Sequence, residues 1–172
     1  MNGSAQPERL TLAVTGTAWM GGGVGSVQSA IEELLSRADN EIQIAVYDMT
    51  AGAEEFLKRL ATCLARGIRV TMIVNRYYQK PSFIIERLDE MARKFPYLEL
   101  LDFRPKNDSE DLHAKILVID RREALVGSAN LTWKGLVGNH ELAVVISGST
   151  ASKIAGLVDK LCGDSRVIRV GK

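Results

Sequence analysis

The sequence predicts an α/β fold, with one mixed β-sheet and helices on both of its faces. Three observations predict it. Strand-like and helix-like segments alternate through the first half in the order β-α-β-α-β-α-β. The second half is richer in strands joined by short turns, which an all-parallel sheet would not hold. Of 172 residues, 46% are hydrophobic, so the chain can bury a core without a disulfide or metal staple.

Residues 10–15 (LTLAVT) read as the first strand. Gly21-Gly22-Gly23 then breaks the chain, and Gly25-Ser26 opens a helix carrying Val27, Ala30, Ile31, Leu34, Leu35 and Ala38 at helical spacing. Residues 41–48 (EIQIAVYD) form the next strand. A helix over roughly 53–66 shows Phe56, Leu57, Leu60, Cys63 and Leu64 on one face and stops at Gly67. IRVTMIV (68–74) is a buried-strand run. Pro81 starts a third helix with Ile84, Ile85, Leu88, Met91 and Ala92, and Pro96 ends it before a strand at 97–103. A polar loop covers 104–111, followed by strands at 112–120, 123–127 and 140–147, with a loop or short helix at 130–138. A last helix, 151–162, and a closing strand, 166–170, complete the chain.

No internal repeat, low-complexity tract or linker divides this pattern. The expected organisation is a flexible N-terminus over 1–9 and a single domain over 10–172. The formal net charge of +1 excludes a broadly basic nucleic-acid arm, but not a local basic patch. Cys63 and Cys162 sit in helical patterns about a hundred positions apart and read as reduced core thiols, and no Cys/His cluster points to zinc. The N-terminus lacks the basic and apolar regions of a signal peptide, and no apolar run approaches the ~20 residues that span a bilayer. The expected compartment is the cytoplasm, with no stable membrane insertion.

The chemistry concentrates between residues 113 and 141. His113, Lys115 and Asp120 stand as H-x-K-x-x-x-x-D, followed by Gly127-Ser128-Ala129-Asn130 and later by Asn139-His140-Glu141. On a strand, His113 and Lys115 share a face ~7 Å apart, and Leu117 and Ile119 continue that face into the core. Asp120 falls on the opposite face at the strand's end. Ser128 and Asn130 leave the neighbouring strand two apart, and Glu141 opens the next one. The set suits phosphoryl transfer. Lys115 supplies a cation, Ser128 and Asn130 supply neutral donors, and a neutral His113 has a lone pair that can attack phosphorus. Glu141 is the candidate carboxylate to hold the second ring nitrogen of His113. Lysine and amide donors stabilise charge without a metal, so neither metal nor cofactor is expected.

H-x-K-x-x-x-x-D followed by G-S-x-N resembles the signature of the phospholipase D superfamily, the HKD phosphodiesterases. The IQIAVYD strand, the FLKRLATCLARGIRV helix and the NHELAVVI strand extend the resemblance over roughly residues 20–170. It implies an α-β-α sandwich and an enzyme in which His113 forms a covalent phosphohistidine. It further implies that Lys115, Ser128 and Asn130 hold the phosphate, that Asp120 supports, and that Glu141 orients the histidine. Complete members use two such motifs per site. This chain has one, because position 142 is Leu and His140 lacks the following lysine. A two-fold homodimer sharing one site repairs the deficit, as in the short endonuclease-like members. The expected activity is a metal-independent nuclease acting on DNA, or also RNA, in an antiviral defence setting. The alternative is a phospholipase or phosphatidyltransferase acting on phospholipid headgroups.

Residues outside the motif extend the candidate site. Arg76, Tyr77 and Lys80 interleave basic and aromatic side chains after a strand, a pattern suited to nucleic-acid contact or to a solvated loop. Trp133 and Lys134 follow Asn130 closely enough to line the cleft. Trp19 to Gly23 reads either as a mobile substrate-side loop or as a turn.

Overall fold

A computed structural model describes residues 8–107 and 109–171. In chain order the elements are β1 (Arg9–Thr15), β2 (Gly25–Ser26), α1 (Val27–Ser36), β3 (Glu41–Val46), α2 (Glu54–Ala65), β4 (Arg69–Asn75), α3 (Ser82–Lys94), β5 (Leu98–Phe103), β6 (Lys115–Ile119), β7 (Glu123–Gly127), β8 (Glu141–Ser147), α4 (Ser149–Cys162) and β9 (Val167–Arg169). All nine strands form one mixed sheet in the order β2-β1-β8-β7-β6-β3-β4-β5-β9.

Handedness explains which face each helix covers. The β3-α2-β4 and β4-α3-β5 crossovers join parallel neighbours and advance along the sheet in one direction. The β1-α1-β3 crossover advances the same way. Right-handed crossovers that advance together place their helices on one face. There α1, α2 and α3 bury Leu34, Leu35, Leu57, Leu60, Ile84 and Leu88 against Ile42, Ile44, Met72, Leu117 and Ile119. The strands joined by α4 run the opposite way, since β8 is antiparallel to β1 and β9 to β5. The same rule therefore puts α4 on the other face, where Val158, Ala151 and Ala155 meet Ala45, Ile73, Val118 and Ala124.

Local signals agree with these boundaries. Ser26 caps α1 by accepting the Ser29 N–H (2.9 Å). Gly67, at φ +86°, follows α2. Both cysteines are free, and burial pushes both thiols up.

The flexible segment expected over 1–9 ends earlier than its last two residues. Arg9 pairs with Ser147 in the sheet, and the Glu8 carboxylate accepts the Thr150 N–H (2.7 Å) at the start of α4. Residues 1–7 lie outside the described residues. The strand expected over 112–120 is shorter at both ends. Leu112 sends its N–H to Asn75 Oδ1 (3.0 Å), and the carbonyl of His113 accepts from the Lys115 ammonium (2.8 Å), so these groups do not join the ladder.

Candidate active site

The carboxyl ends of β1, β3, β4, β5 and β7 and the amino ends of β6 and β8 all meet at one edge of the sheet. Such an edge is where open α/β sheets bind ligands. His113, Lys115, Ser128, Asn130 and Glu141 all belong to it.

Lys115 begins β6 opposite Val46, and its side chain is buried. Its Nζ lies 2.9 Å from Nδ1 and 3.4 Å from Nε2 of His113. An ammonium only donates, so the imidazole accepts. Burial lowers the Lys115 pKa, partly offset by the charge of Glu141. His113 itself is exposed. Its ring packs on Tyr47, with centroids 4.3 Å apart.

Ser128 extends the β7 ladder by one step, its N–H donating to Leu142 O (3.0 Å). Its hydroxyl donates to Glu141 Oε2, and Asn139 Nδ2 donates to Glu141 Oε1 (3.1 Å). Glu141 was expected to hold the second ring nitrogen of His113. Instead both of its oxygens serve Ser128 and Asn139, because the β7–β8 register puts Ser128 beside it. Gly127 permits that register, since a Cβ there would lie 2.6 Å from Cβ of Ala143. Asn130 Oδ1 is enclosed and lacks a hydrogen-bond partner, unlike most buried polar atoms.

Asp120 stands at the far end of β6, roughly 16 Å from Lys115 by strand rise. It accepts the N–H groups of Asp39 (2.9 Å), Asn40 (2.7 Å) and Glu41 (2.9 Å). Burial pushes its pKa up, but these donors outweigh burial and hold the carboxyl below its ordinary value. Asp120 therefore braces the β6–β7 turn and the start of β3, and does not reach the reacting centre.

The basic and aromatic loop after β4 also turns inward. Tyr77 is fully buried, with its hydroxyl donating to Ile85 O (3.0 Å) and meeting Asp89 (2.8 Å). Burial and Asp89 hold that phenol well above its ordinary pKa. The Tyr77 expected to contact nucleic acid is thus a core residue. Lys80 is no free surface cation either. Its Nζ donates to Tyr47 O (2.8 Å) and Asp48 Oδ1 (3.2 Å). Arg76 Nε donates to Asp111 Oδ1 (2.8 Å), which also accepts from Asn75 (3.1 Å). Arg76 thereby anchors the segment that leads into His113. Trp133 and Lys134 are exposed, and Trp133 lies beside Gln28, Glu32, Glu55 and Phe56 of α1 and α2.

Tyr47 was missed from the sequence. It lies beneath His113, with Lys115 Nζ 5.1 Å and Lys80 Nζ 5.6 Å from its ring centre. Its signal was a tyrosine directly after a buried strand, but only the β3–β6 register shows what that tyrosine faces.

A family profile described as "Cardiolipin synthase, PLD-like domain" matches residues 31–161. The chain belongs to the phospholipase D superfamily. It is 26% identical over 121 residues to the DISARM protein DrmC of Bacillus paralicheniformis, covering 70% of this chain and 49% of that protein. It is 30% identical over 93 residues to the 5'-3' exonuclease PLD3 of Rattus norvegicus, covering 54% of this chain and 18% of that protein. The chain thus spans about half of the first relative and less than a fifth of the second. The crystal structure of Nuc from Salmonella typhimurium, a phospholipase D family member, superposes with a TM-score of 0.75 at 18% identity, covering 96% of this chain and all of that one. That likeness shows that the two chains share a fold.

Proposed function

We propose that this chain is a metal-independent phosphodiesterase that hydrolyses nucleic acid through a covalent phosphohistidine. The observation that carries the reading is the exposed His113 imidazole in direct contact with the Lys115 ammonium at the ligand-binding edge of the sheet. Lys115 occupies the nitrogen-bearing side of the ring. A phosphodiester is a stronger partner for an ammonium than a neutral imidazole is. Its arrival draws Lys115 onto a non-bridging oxygen and frees a ring lone pair beside phosphorus. Ser128 and Asn130 add neutral donors to the phosphate once Ser128 turns from Glu141.

The attacking nitrogen of His113 forms a P–N bond as the P–O bond to the leaving group breaks. A second imidazole, protonated, gives its proton to the departing oxygen. Water then attacks phosphorus and gives a proton to the second imidazole, the P–N bond breaks, and His113 returns. One chain supplies one motif, so the second imidazole belongs to a second copy placed across a two-fold axis. An apolar strip supports that dimer. Leu10, Leu12 and Leu142 are exposed on the face of β1 and β8 that α4 leaves open, and Leu142 directly follows Glu141.

Similarity to an exonuclease and to the DISARM protein supports nucleic acid as substrate and a defence setting. The profile's cardiolipin synthase description favours a second reading, transfer or hydrolysis at a phospholipid headgroup. Both use the same histidine step. No helix among the described residues is long and apolar enough to cross a membrane.

The test is a substrate panel in EDTA, comparing wild type with His113→Ala across salt concentrations. DNA and RNA oligonucleotides are cleaved by wild type alone, with affinity falling steeply as salt rises. Headgroup release from vesicles without oligonucleotide cleavage would transfer the assignment to lipid. Sedimentation reads the dimer, and a strict monomer that keeps full activity overturns the shared site.

A further inference from the structure

The chain has two tryptophans, Trp19 and Trp133, and neither is buried. Trp19 is 46% exposed and Trp133 61%. An indole is normally among the largest contributors to a core, so two in solvent require a reason. Both are tied to one short segment beside the catalytic edge. A Cβ on Gly138 would lie 2.6 Å from Cζ3 of Trp133, so the indole rests directly against the glycine backbone. Gly52 packs on the main chain that carries it, since a Cβ there would lie 2.0 Å from the Trp133 backbone nitrogen. Two residues after Gly138, the His140 ring meets Trp19 edge to face at 5.7 Å, and its Nε2 accepts the Ala18 N–H (3.3 Å). Glu141 follows, bonded to Ser128 and Asn139. Residues 138–141 therefore touch both indoles and the phosphate-binding set.

Each ring rests on one named neighbour, Trp133 on Gly138 and Trp19 on His140, and much of each side chain stays exposed. A rigid aromatic surface of this kind loses little entropy when a planar group stacks on it. The carboxylates near Trp133, Glu32 and Glu55, are both paired with Arg59 (3.0 and 3.4 Å), and Lys134 adds a cation. A lipid headgroup presents no planar face. In a duplex the base faces are consumed by stacking, so only unpaired bases can use an indole.

We propose that Trp19 and Trp133 are stacking platforms for the bases of a single-stranded nucleic acid whose phosphodiester lies at His113. This rests on the nuclease reading above and specifies its substrate. Because the chain has only these two indoles, intrinsic tryptophan fluorescence reports on them alone. The binding experiment uses His113→Asn, which binds without turnover. It is titrated with an oligothymidylate of about 12 nucleotides, an abasic oligonucleotide of equal length, a duplex, and vesicles containing cardiolipin.

The oligothymidylate is expected to quench both indoles, with the abasic strand and the duplex binding at least about tenfold more weakly. Trp19→Ala and Trp133→Ala are each expected to weaken binding roughly 5- to 100-fold, with Trp→Phe recovering most of the loss. Equal affinity for abasic and normal strands overturns the proposal, as do alanine variants within about twofold of the parent. Quenching by vesicles alone overturns it in favour of a membrane surface. Cleavage by the wild-type protein separates the two failures. His113-dependent cleavage with an unchanged KM in the tryptophan variants sinks the platforms and leaves the nuclease standing. Neither binding nor cleavage sinks both.

Discussion

The two ends of β6 are both polar, yet they are built in opposite ways. At the Ile119 end, Asp120 and Arg121 take positive φ, closing a tight turn with the Arg122 N–H on Ile119 O (2.9 Å). Every charge there is matched. Asp120 serves three backbone donors, and Arg121 bridges Glu41 (2.5 Å) and Asp159 (2.7 Å). At the Lys115 end, no carboxylate among the described residues lies within ion-pair distance of the ammonium, and Asn130 Oδ1 has no partner. A matched network yields stability. An ammonium held by neutral acceptors alone can still exchange one of them for an anion.

The sharpest separation of the two ends comes from His113→Ala. It is expected to lower phosphodiester cleavage by at least about 10⁴-fold. Because His113 is exposed, thermal unfolding should shift by no more than about 2 °C. Lys115→Met should cost roughly 10²- to 10³-fold in rate while leaving stability equal or higher, since burial opposes the charge it removes. The sign with pH follows from the lowered Lys115 pKa. The unfolded chain binds the proton more tightly, so the wild type carries a penalty that fades as pH rises toward ~10.5. Urea unfolding of the two proteins at pH 7 and pH 10 should therefore converge at the higher pH.

At the other end, Asp120→Ala should destabilise the fold by about 2–4 kcal/mol with turnover per folded molecule unchanged. The Asp120 pKa is lowered by folding, so its contribution is full above the ordinary carboxylate range and is lost as pH falls through the folded value. The gap between wild type and Asp120→Ala should shrink below pH ~4. Loss of activity in Asp120→Ala at temperatures where it stays folded would break the contrast between the ends. The smallest effect belongs to Gly138→Ala, whose methyl displaces the Trp133 ring. Oligonucleotide affinity should fall by about three- to tenfold with little change in melting temperature, read by fluorescence titration and calorimetry.

Much of the fold was legible because period and punctuation agree. Helical spacing over 27–38 and 53–66, the stop at Gly67 and the start at Pro81 all recur in the structure within a residue or two. The site was legible where neighbours in sequence are neighbours in space, as with His113 and Lys115. It was illegible where a partner arrives from afar. Arg76 and Asp111 lie 35 positions apart, Lys80 and Tyr47 33, and only the β3–β4–β5 register brings them together. A basic and aromatic run looks the same whether its side chains face solvent or saturate such distant acceptors. The strand boundary before Lys115 was hidden for the same reason, since the Asn75 amide that diverts Leu112 belongs to another strand.

The insertion of β6, β7 and β8 between β1 and β3 has a consequence for how the protein is made. The first strand finds its main partner, β8, only when residues 141–147 exist, so its pairing spans most of the chain. Contacts of such high sequence separation form late and slowly. A nascent chain leaving the ribosome can dock α2 and α3 on β3, β4 and β5 early, because those pairs are local. The edge that holds His113, Ser128 and Glu141 closes only when the meander slots into the gap. Strand order thus acts as a timing device: that edge cannot assemble until β8 has been made.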